Sequence, residues 1–132
     1  MKKNEEKLKK NLADLRKSVQ NLSESLEIKN PDELVQDAII KRFELAYELA
    51  WKTIKAYLAF QGIICSSPRE CFKQAKIHGM VDDEQAWLSM IETRNILVHT
   101  YSAEKSRMMI QKIRKSHEPI LVRMLHYFDQ SS

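Results

Sequence analysis

The sequence predicts an all-α protein that folds as an up-and-down four-helix bundle with one short additional helix. Three observations favour this class. Only two glycines and three prolines occur among the 132 residues. Apolar side chains recur at helical spacing, and residues that start or end helices lie between these periodic segments. A chain of this length suits one domain, so we expect a single helical domain over residues 1–132.

The first two predicted helices are the longest. Leucines and one valine repeat at steps of three and four residues and form a narrow stripe: Leu8, Leu12, Leu15, Val19, Leu22 and Leu26. Such a stripe needs a partner helix, either in the same bundle or in a second chain. The second helix is predicted to take Asn30 as its N-cap and Pro31 as its first residue. It is predicted to end near Gln61, because Gly62 can adopt the left-handed conformation that stops a helix.

The third helix is predicted to be short. Ser67 and Glu70 have the spacing of a capping box at its start, and Gly79 is expected to end it. Asp82 or Asp83 is then expected to cap a fourth helix.

The fourth helix is predicted to reach about Tyr101. Ser102 is a plausible N-cap for the last helix. We expect that helix to bend at Pro119, because the proline ring removes a backbone hydrogen bond.

Composition limits the classes of function. The net charge of +4 fits an RNA or acidic protein partner as well as ordinary solubility. No apolar run approaches the ~20 residues of a membrane helix. Cys65 and Cys71 lack the spacing of metal ligands and are expected to be reduced thiols in a cytoplasmic protein. Since the chain has neither a glycine-rich phosphate loop nor a carboxylate cluster for Mg²⁺, we expect no metal and no cofactor.

Arg94 is the least expected residue of the fourth helix. At roughly 100° per residue it falls in the middle of an apolar arc, while Thr93 lies opposite. The arc comprises Trp87, Met90, Ile91, Leu97, Val98 and Tyr101. A guanidinium there is costly unless it is compensated. Two compatible interpretations remain open, a buried ion pair with Glu44 or Glu48 and exposure to a cleft or subunit interface.

Asn95, His99 and Tyr101 add polar chemistry near the end of the same helix. Taken singly, His99 fits a hydrogen-bonded packing residue and Tyr101 fits a cap on the apolar arc. Taken together with Arg94, they fit RNA cleavage without a metal, which needs a base for the 2′-hydroxyl and a cation for the charge on the phosphate. On this hypothesis His99 is the base, Arg94 is the cation, and Asn95 orients the phosphate or the imidazole. The reaction needs both a base and an acid, and one histidine is not enough for both roles. A symmetric dimer, which brings two such helices together, would therefore suit the chemistry.

Other candidates have a structural interpretation beside the functional one. Trp51 and Tyr47 can stack on bases, although aromatic residues on a bundle helix belong more often to the core. Trp51, with Glu44 and Glu48, is also a candidate supporting residue for the Arg94 site. The lysines of the N-terminus and the basic residues of the last helix are either phosphate contacts or a solvated face. Those of the last helix are Lys105, Arg107, Lys112, Arg114 and Lys115.

The segment 94–101, RNILVHTY, resembles the R-x4-H-x-Y motif of the HEPN superfamily. The resemblance is closest to HepT-like proteins, the nucleotidyltransferase substrate-binding proteins, and spans about residues 30 to 125. It also includes Arg42-Phe43-Glu44, the stretch from Tyr47 to Lys52, Ser67-Pro68-Arg69-Glu70 and Trp87-Leu88.

This resemblance implies a helical bundle that forms a homodimer, with its motif helices facing each other, beside a minimal (MNT-type) nucleotidyltransferase. It implies a metal-independent ribonuclease toxin that this partner neutralises. Arg94 and His99 would then cut RNA, Asn95 would be the intervening polar residue, and Tyr101 would be the residue to which the partner attaches AMP. A non-catalytic substrate-binding subunit is the alternative, and a structural helical adaptor is a third possibility.

Overall fold

The computed structural model of the chain describes residues 2–99 and 102–131 and is all-α across these ranges. Its helices are α1 Lys2–Leu26, α2 Glu33–Phe60, α3 Pro68–Ile77, α4 Glu84–Val98, α5 Ala103–Lys112 and α6 Glu118–Ser131. A π-helical segment, Ile113–His117, joins α5 directly to α6. The predicted fold class is therefore confirmed, with α3 as the short additional helix.

Helices α1 and α2 run antiparallel. Arg42, in the first half of α2, donates a hydrogen bond to the backbone oxygen of Asn21 at 2.7 Å. Thr53, in the second half of α2, lies 3.4 Å from the backbone oxygen of Asn11. Residue numbers therefore rise along one helix as they fall along the other.

Helix α5, the π-helical segment and α6 follow one another without a break and form one long rod, the α5–α6 rod. This rod also runs antiparallel to α1. Arg16 pairs with Asp129 near the end of α6. The guanidinium of Arg114 donates to the backbone oxygen of Leu26, the last residue of α1, at 3.3 and 3.1 Å. These contacts give the up-and-down order that the short connections predicted.

The core lies where α1, α2 and the α5–α6 rod meet, and α3 and α4 close it. The predicted stripe of α1 is buried from Leu15 onward, whereas Leu8 and Leu12 are half-buried. The largest fully buried side chains come from α1, α2, α3, α4, α6 and the π-helical segment: Trp87, Phe43, Phe72, Leu15, Leu22, Ile39, Ile54, Leu58, Met90, Ile113, Leu121 and His117. Most of these are apolar, so the hydrophobic effect stabilises the bundle.

The two glycines end helices as predicted. Gly62 has φ 85°, a conformation that costs most residues steric strain. The N–H of Ile63 then bonds the carbonyl of Leu58 at 2.8 Å, which satisfies an otherwise open helix end. Gly79, with φ 75°, ends α3 in the same way.

Three predicted N-caps are confirmed by hydrogen bonds from their side chains, namely Ser67, Asp83 and Ser102. The prediction for α2 is wrong by two residues. Its N-cap is Asp32, whose carboxylate accepts from the N–H of Val35 at 2.9 Å. Asn30 instead takes a left-handed conformation, φ 51°, which turns the chain from α1 toward α2.

The last helix is disrupted directly before Pro119. The N–H of Glu118 bonds the carbonyl of Ile113, five residues earlier, which is the π-helical pattern. Proline lacks an N–H and its ring crowds the carbonyl four residues earlier, so the regular α-helical pattern cannot pass this point. The structure thus has a π-helical segment directly before Pro119, where the sequence predicted a bend.

The predicted oxidation state of the two cysteines is wrong. Cys65 and Cys71, expected to be reduced thiols, form a disulfide with a Cα–Cα distance of 5.3 Å. The turn before α3 brings Cys65 over the first turn of that helix, where Cys71 lies, and both are buried. The cysteines therefore no longer argue for a reducing compartment.

Candidate functional site

The end of α4 places the motif residues. The helix ends at Val98, about one turn earlier than predicted, and His99 is its C-cap. The N–H of His99 bonds the carbonyl of Ile96 at 3.1 Å, while its imidazole is exposed. Thr100 and Tyr101 lie outside the described residues. His99 is therefore fixed through its backbone, and its ring is open to solvent.

Arg94 lies one turn before His99 and is half-buried. Its Nη1 is 3.5 Å from the Oδ1 of the neighbouring, exposed Asn95. Among the described residues no ion pair joins Arg94 to Glu44 or Glu48. The guanidinium is thus not neutralised by either carboxylate that the sequence suggested.

Glu48 is instead occupied by neighbours on its own helix. Its Oε2 accepts from the indole N–H of Trp51 at 3.1 Å and lies 3.8 Å from Nζ of Lys52. Trp51 is half-buried, and Nζ of Lys55 lies 5.8 Å from the centre of its ring. Glu44, the other suggested carboxylate, is half-buried on the same helix.

Tyr47 belongs to the core, which is the structural alternative to base stacking that the sequence offered for this residue. It is 3% exposed, and its ring packs against Phe72 with the centroids 6.3 Å apart. Burial, reinforced by the charge of Glu48, raises the pKa of Tyr47 to about 12, whereas the charges of Arg94 and Arg69 act in the opposite direction. The phenol is therefore neutral at physiological pH.

The buried face of α4 differs from the predicted arc. Thr93, predicted to lie opposite the apolar residues, is fully buried, whereas Val98 is 44% exposed. The buried residues of α4 are Trp87, Met90, Thr93 and Leu97. Arg94 is consequently at the edge of the buried face rather than at its middle, a position where a cation reaches solvent at lower cost.

A hydrogen bond in the core satisfies the buried hydroxyl of Thr93. Oγ1 of Thr93 lies 2.7 Å from Nε2 of His117 in the π-helical segment. His117 is 1% exposed, and its ring stacks on Phe43 with the centroids 5.5 Å apart. Burial, with a smaller effect of Lys112, lowers the pKa of His117 to about 4, so the imidazole is neutral.

Sequence reasoning missed the pairing of Thr93 with His117. The only sequence signal was a polar residue on each of two otherwise apolar faces. The inward position of His117 could be predicted only if a π-helical segment were expected before Pro119. The extra residue in a π-helical turn changes which side chains face the core.

The end of α4 thus combines a half-buried cation, an exposed amide and an exposed imidazole within six residues. A guanidinium without a carboxylate partner is suited to bind a phosphate. Within the described ranges, no three His, Cys, Asp or Glu side chains are grouped as metal ligands. No described helix is long and apolar enough to cross a membrane.

Comparison with solved structures places the fold in the HEPN-like helical class. A Shewanella oneidensis HEPN toxin, tri-AMPylated and in complex with an MNT antitoxin, superposes with a TM-score of 0.77 over 93% of this chain and 96% of that one, at 15% identity. A crystal structure of a Thermus thermophilus protein superposes with a TM-score of 0.73 over 86% of this chain and 93% of that one, at 27% identity.

The chain belongs to the family of nucleotidyltransferase substrate-binding protein-like proteins, which it matches over residues 6–130. Among curated proteins it is similar to a probable ribonuclease HepT of Haemophilus influenzae, with 29% identity over 89 residues. That match covers 61% of this chain and 61% of the relative. The resemblance inferred from the motif is therefore confirmed at the level of the family.

Proposed function

We propose that this protein is the HEPN-type ribonuclease of a two-component module and that a nucleotidyltransferase neutralises it. The observation that carries the proposal is the pair of Arg94, a half-buried cation without a carboxylate partner among the described residues, and His99, an exposed imidazole five residues later. Family membership and the name of the Haemophilus influenzae relative support it.

The proposed reaction uses the RNA as its own nucleophile. His99 takes the proton of a 2′-hydroxyl, whose oxygen attacks the adjacent phosphorus, and the 5′-oxygen of the next nucleotide leaves. A second proton donor supplies the hydrogen that this oxygen needs. The products are a 2′,3′-cyclic phosphate and a 5′-hydroxyl. Arg94 stabilises the extra negative charge on the phosphoryl oxygens, and Asn95 orients the phosphate.

A homodimer would complete this chemistry. One His99 acts as base, and His99 of a second copy is placed to act as the acid when the two α4 ends face each other. The exposed Val98, directly beside His99, supports a contact at this end of α4, because an apolar side chain that is 44% exposed gains stability when it is covered.

The nucleotidyltransferase partner would control the toxin through Tyr101. We infer that it transfers the adenylyl group of ATP to the phenolic oxygen and releases pyrophosphate. The motif position of Tyr101 supports this inference, and so does the description of the Shewanella oneidensis toxin as tri-AMPylated. An added phosphate two residues from His99 would repel the RNA backbone and block its approach.

Cleavage of a mixed RNA substrate in EDTA by the partner-free protein tests the proposal. Arg94→Ala and His99→Ala should each abolish cleavage. His78→Ala is a matched control for the histidine, since His78 is an exposed C-cap of α3 just as His99 is of α4. Arg123→Ala is the control for the arginine, because it removes an exposed cation from α6. Cleavage that persists in both motif variants would contradict the proposal.

A second candidate function is a non-catalytic subunit that presents a substrate to the nucleotidyltransferase. The description of the family as substrate-binding favours it. The two functions separate in cells. If His99→Ala relieves growth arrest and still binds the partner, the ribonuclease function stands. If neither arrest nor cleavage is seen and only partner binding responds to motif variants, the subunit function replaces it.

A further inference from the structure

A concave surface lies between the α1–α2 connection and the wall formed by α5 and the π-helical segment, and none of its described lining residues belongs to α4. It is an open cleft of about 790 Å³. We name it the Arg107 cleft, after the exposed arginine on its α5 wall. Lys29 lies on the opposite wall, in the connection between α1 and α2, and Arg114 lies two turns beyond Arg107.

The charge of the cleft is positive. Lys29, Arg107 and Arg114 face one acidic residue, Glu27. Within the described part of the chain, no ion pair involves any of these three cations. Their charges are therefore available to an anionic ligand.

The walls of the cleft are held in place by hydrogen bonds. The guanidinium of Arg114 donates twice to the carbonyl of Leu26, which fixes its position at the end of α1. Gln36 donates to the carbonyl of Pro31 at 2.9 Å and fixes the connection that carries Lys29. The guanidinium of Arg114 is thus held in place before a ligand arrives, which lowers the entropic cost of binding at this cation.

The spacing of the cations suits a strand rather than a single phosphate. Seven residues separate Arg107 from Arg114, which corresponds to about 10 Å along the helix. Gln111 lies between them, and Ile28, 45% exposed, lines the same cleft. A positively charged groove that follows the phosphate backbone is a feature of proteins that bind single strands.

The position of the cleft along the chain connects it to the motif. Helix α5 begins at Ala103, two residues after the motif ends at 101, and Arg107 lies one turn farther on. We propose that the Arg107 cleft binds the phosphate backbone of a single RNA strand and holds the substrate outside the cleavage site. This inference rests on the proposed ribonuclease function, because that function supplies the RNA.

Binding of a fluorescently labelled, unstructured RNA to the full chain, followed by anisotropy across a salt series, tests the inference. The His99→Ala protein keeps the RNA intact during the measurement. In that background, Lys29→Gln with Arg107→Gln should weaken binding roughly fivefold to tenfold at low salt. It should also reduce the slope of log K against log salt by about 1.4, since each contact of a single-stranded phosphate contributes about 0.7. Arg114 is left intact because it caps α1.

The control removes the same charge elsewhere. Lys17→Gln with Lys73→Gln changes two exposed lysines of α1 and α3, and RNA affinity and slope should stay close to those of the parent. Thermal melts verify that both double variants remain folded. A cleft variant that binds RNA like this control would overturn the inference, as would complete absence of RNA binding by the parent.

The two proposals fail in different ways. If the wild type cleaves RNA in EDTA and the cleft variant binds RNA like the control, the inference fails and the ribonuclease function stands. If the wild type does not cleave but the parent binds RNA through the cleft, the ribonuclease function fails, and the cleft stands as an RNA-binding surface without a substrate-holding role. If the cleft variant keeps its RNA affinity and loses the nucleotidyltransferase, the cleft is a protein-binding surface and the inference is overturned.

Discussion

His117 makes the stability of the fold sensitive to acid. Its imidazole is 1% exposed, and burial, with the charge of Lys112, lowers its pKa from 6.5 to about 4. In the unfolded chain the imidazole regains its ordinary pKa. At pH values between these two pKa values, His117 binds a proton in the unfolded state but not in the folded state. The free energy of unfolding therefore falls as the pH falls through this window.

The size of the effect follows from the two pKa values. One pKa unit corresponds to about 1.4 kcal/mol, and the shift of His117 is from 6.5 to about 4. Lowering the pH from about 7 to about 4.5 should remove about 2–3 kcal/mol from the free energy of unfolding through this residue alone. Small domains have a total of roughly 5–15 kcal/mol, so the loss is readily measurable.

Urea denaturation across this pH range, in the wild type and in His117→Gln, isolates the contribution. Carboxylates titrate equally in both proteins, so the difference between their two pH dependences belongs to His117. The control variant is His78→Gln, which removes an exposed histidine of the helix α3 end instead. If the variant is too unstable to fold, NMR titration of the His117 ring in the wild type reports its pKa directly. Parallel curves for wild type and His117→Gln, or a ring pKa near 6.5, would show that His117 does not cause the acid sensitivity.

Two further predictions concern the contacts that position α4 and α3. Thr93→Val should cost about 1–3 kcal/mol, because it leaves the buried ring nitrogen of His117 without its partner, whereas Thr93→Ser should cost less. Chemical denaturation measures both, and equal stability of the two variants would contradict the importance of the hydroxyl. Replacing Cys65 and Cys71 together by serine should cost about 2 kcal/mol, because their disulfide closes a short loop with a sequence separation of 6. A reductant should destabilise the wild type by a similar amount and leave the double variant unchanged; no effect on the wild type would contradict this.

The local signals of the sequence predicted most of the helix ends. Gly62, Gly79, Ser67 and Ser102 act through hydrogen bonds to residues at most five positions away, so their effects are visible in the sequence. Asn30 was misjudged because Asp32 offers the same kind of capping side chain two residues later, and spacing alone does not choose between them.

Contacts between distant segments were not predictable in this way. The bond from Thr93 to His117 joins residues 24 positions apart and gives the buried threonine of α4 its polar partner. Hydrophobicity alone placed Arg94 at the centre of the buried face, because a buried threonine is invisible to such a pattern. The sequence could name Arg94, Asn95 and His99 as candidates because they lie within six residues of one helix end, and their roles stay a prediction.

In the proposed function, His99 is the base that RNA cleavage without a metal requires. The most direct measurement is the rate of RNA cleavage in EDTA by His99→Ala, compared with His78→Ala under the same conditions. Loss of a general base should lower the cleavage rate of His99→Ala by roughly 100-fold or more, while His78→Ala should keep the wild-type rate. Equal rates of cleavage by the two variants would contradict the account.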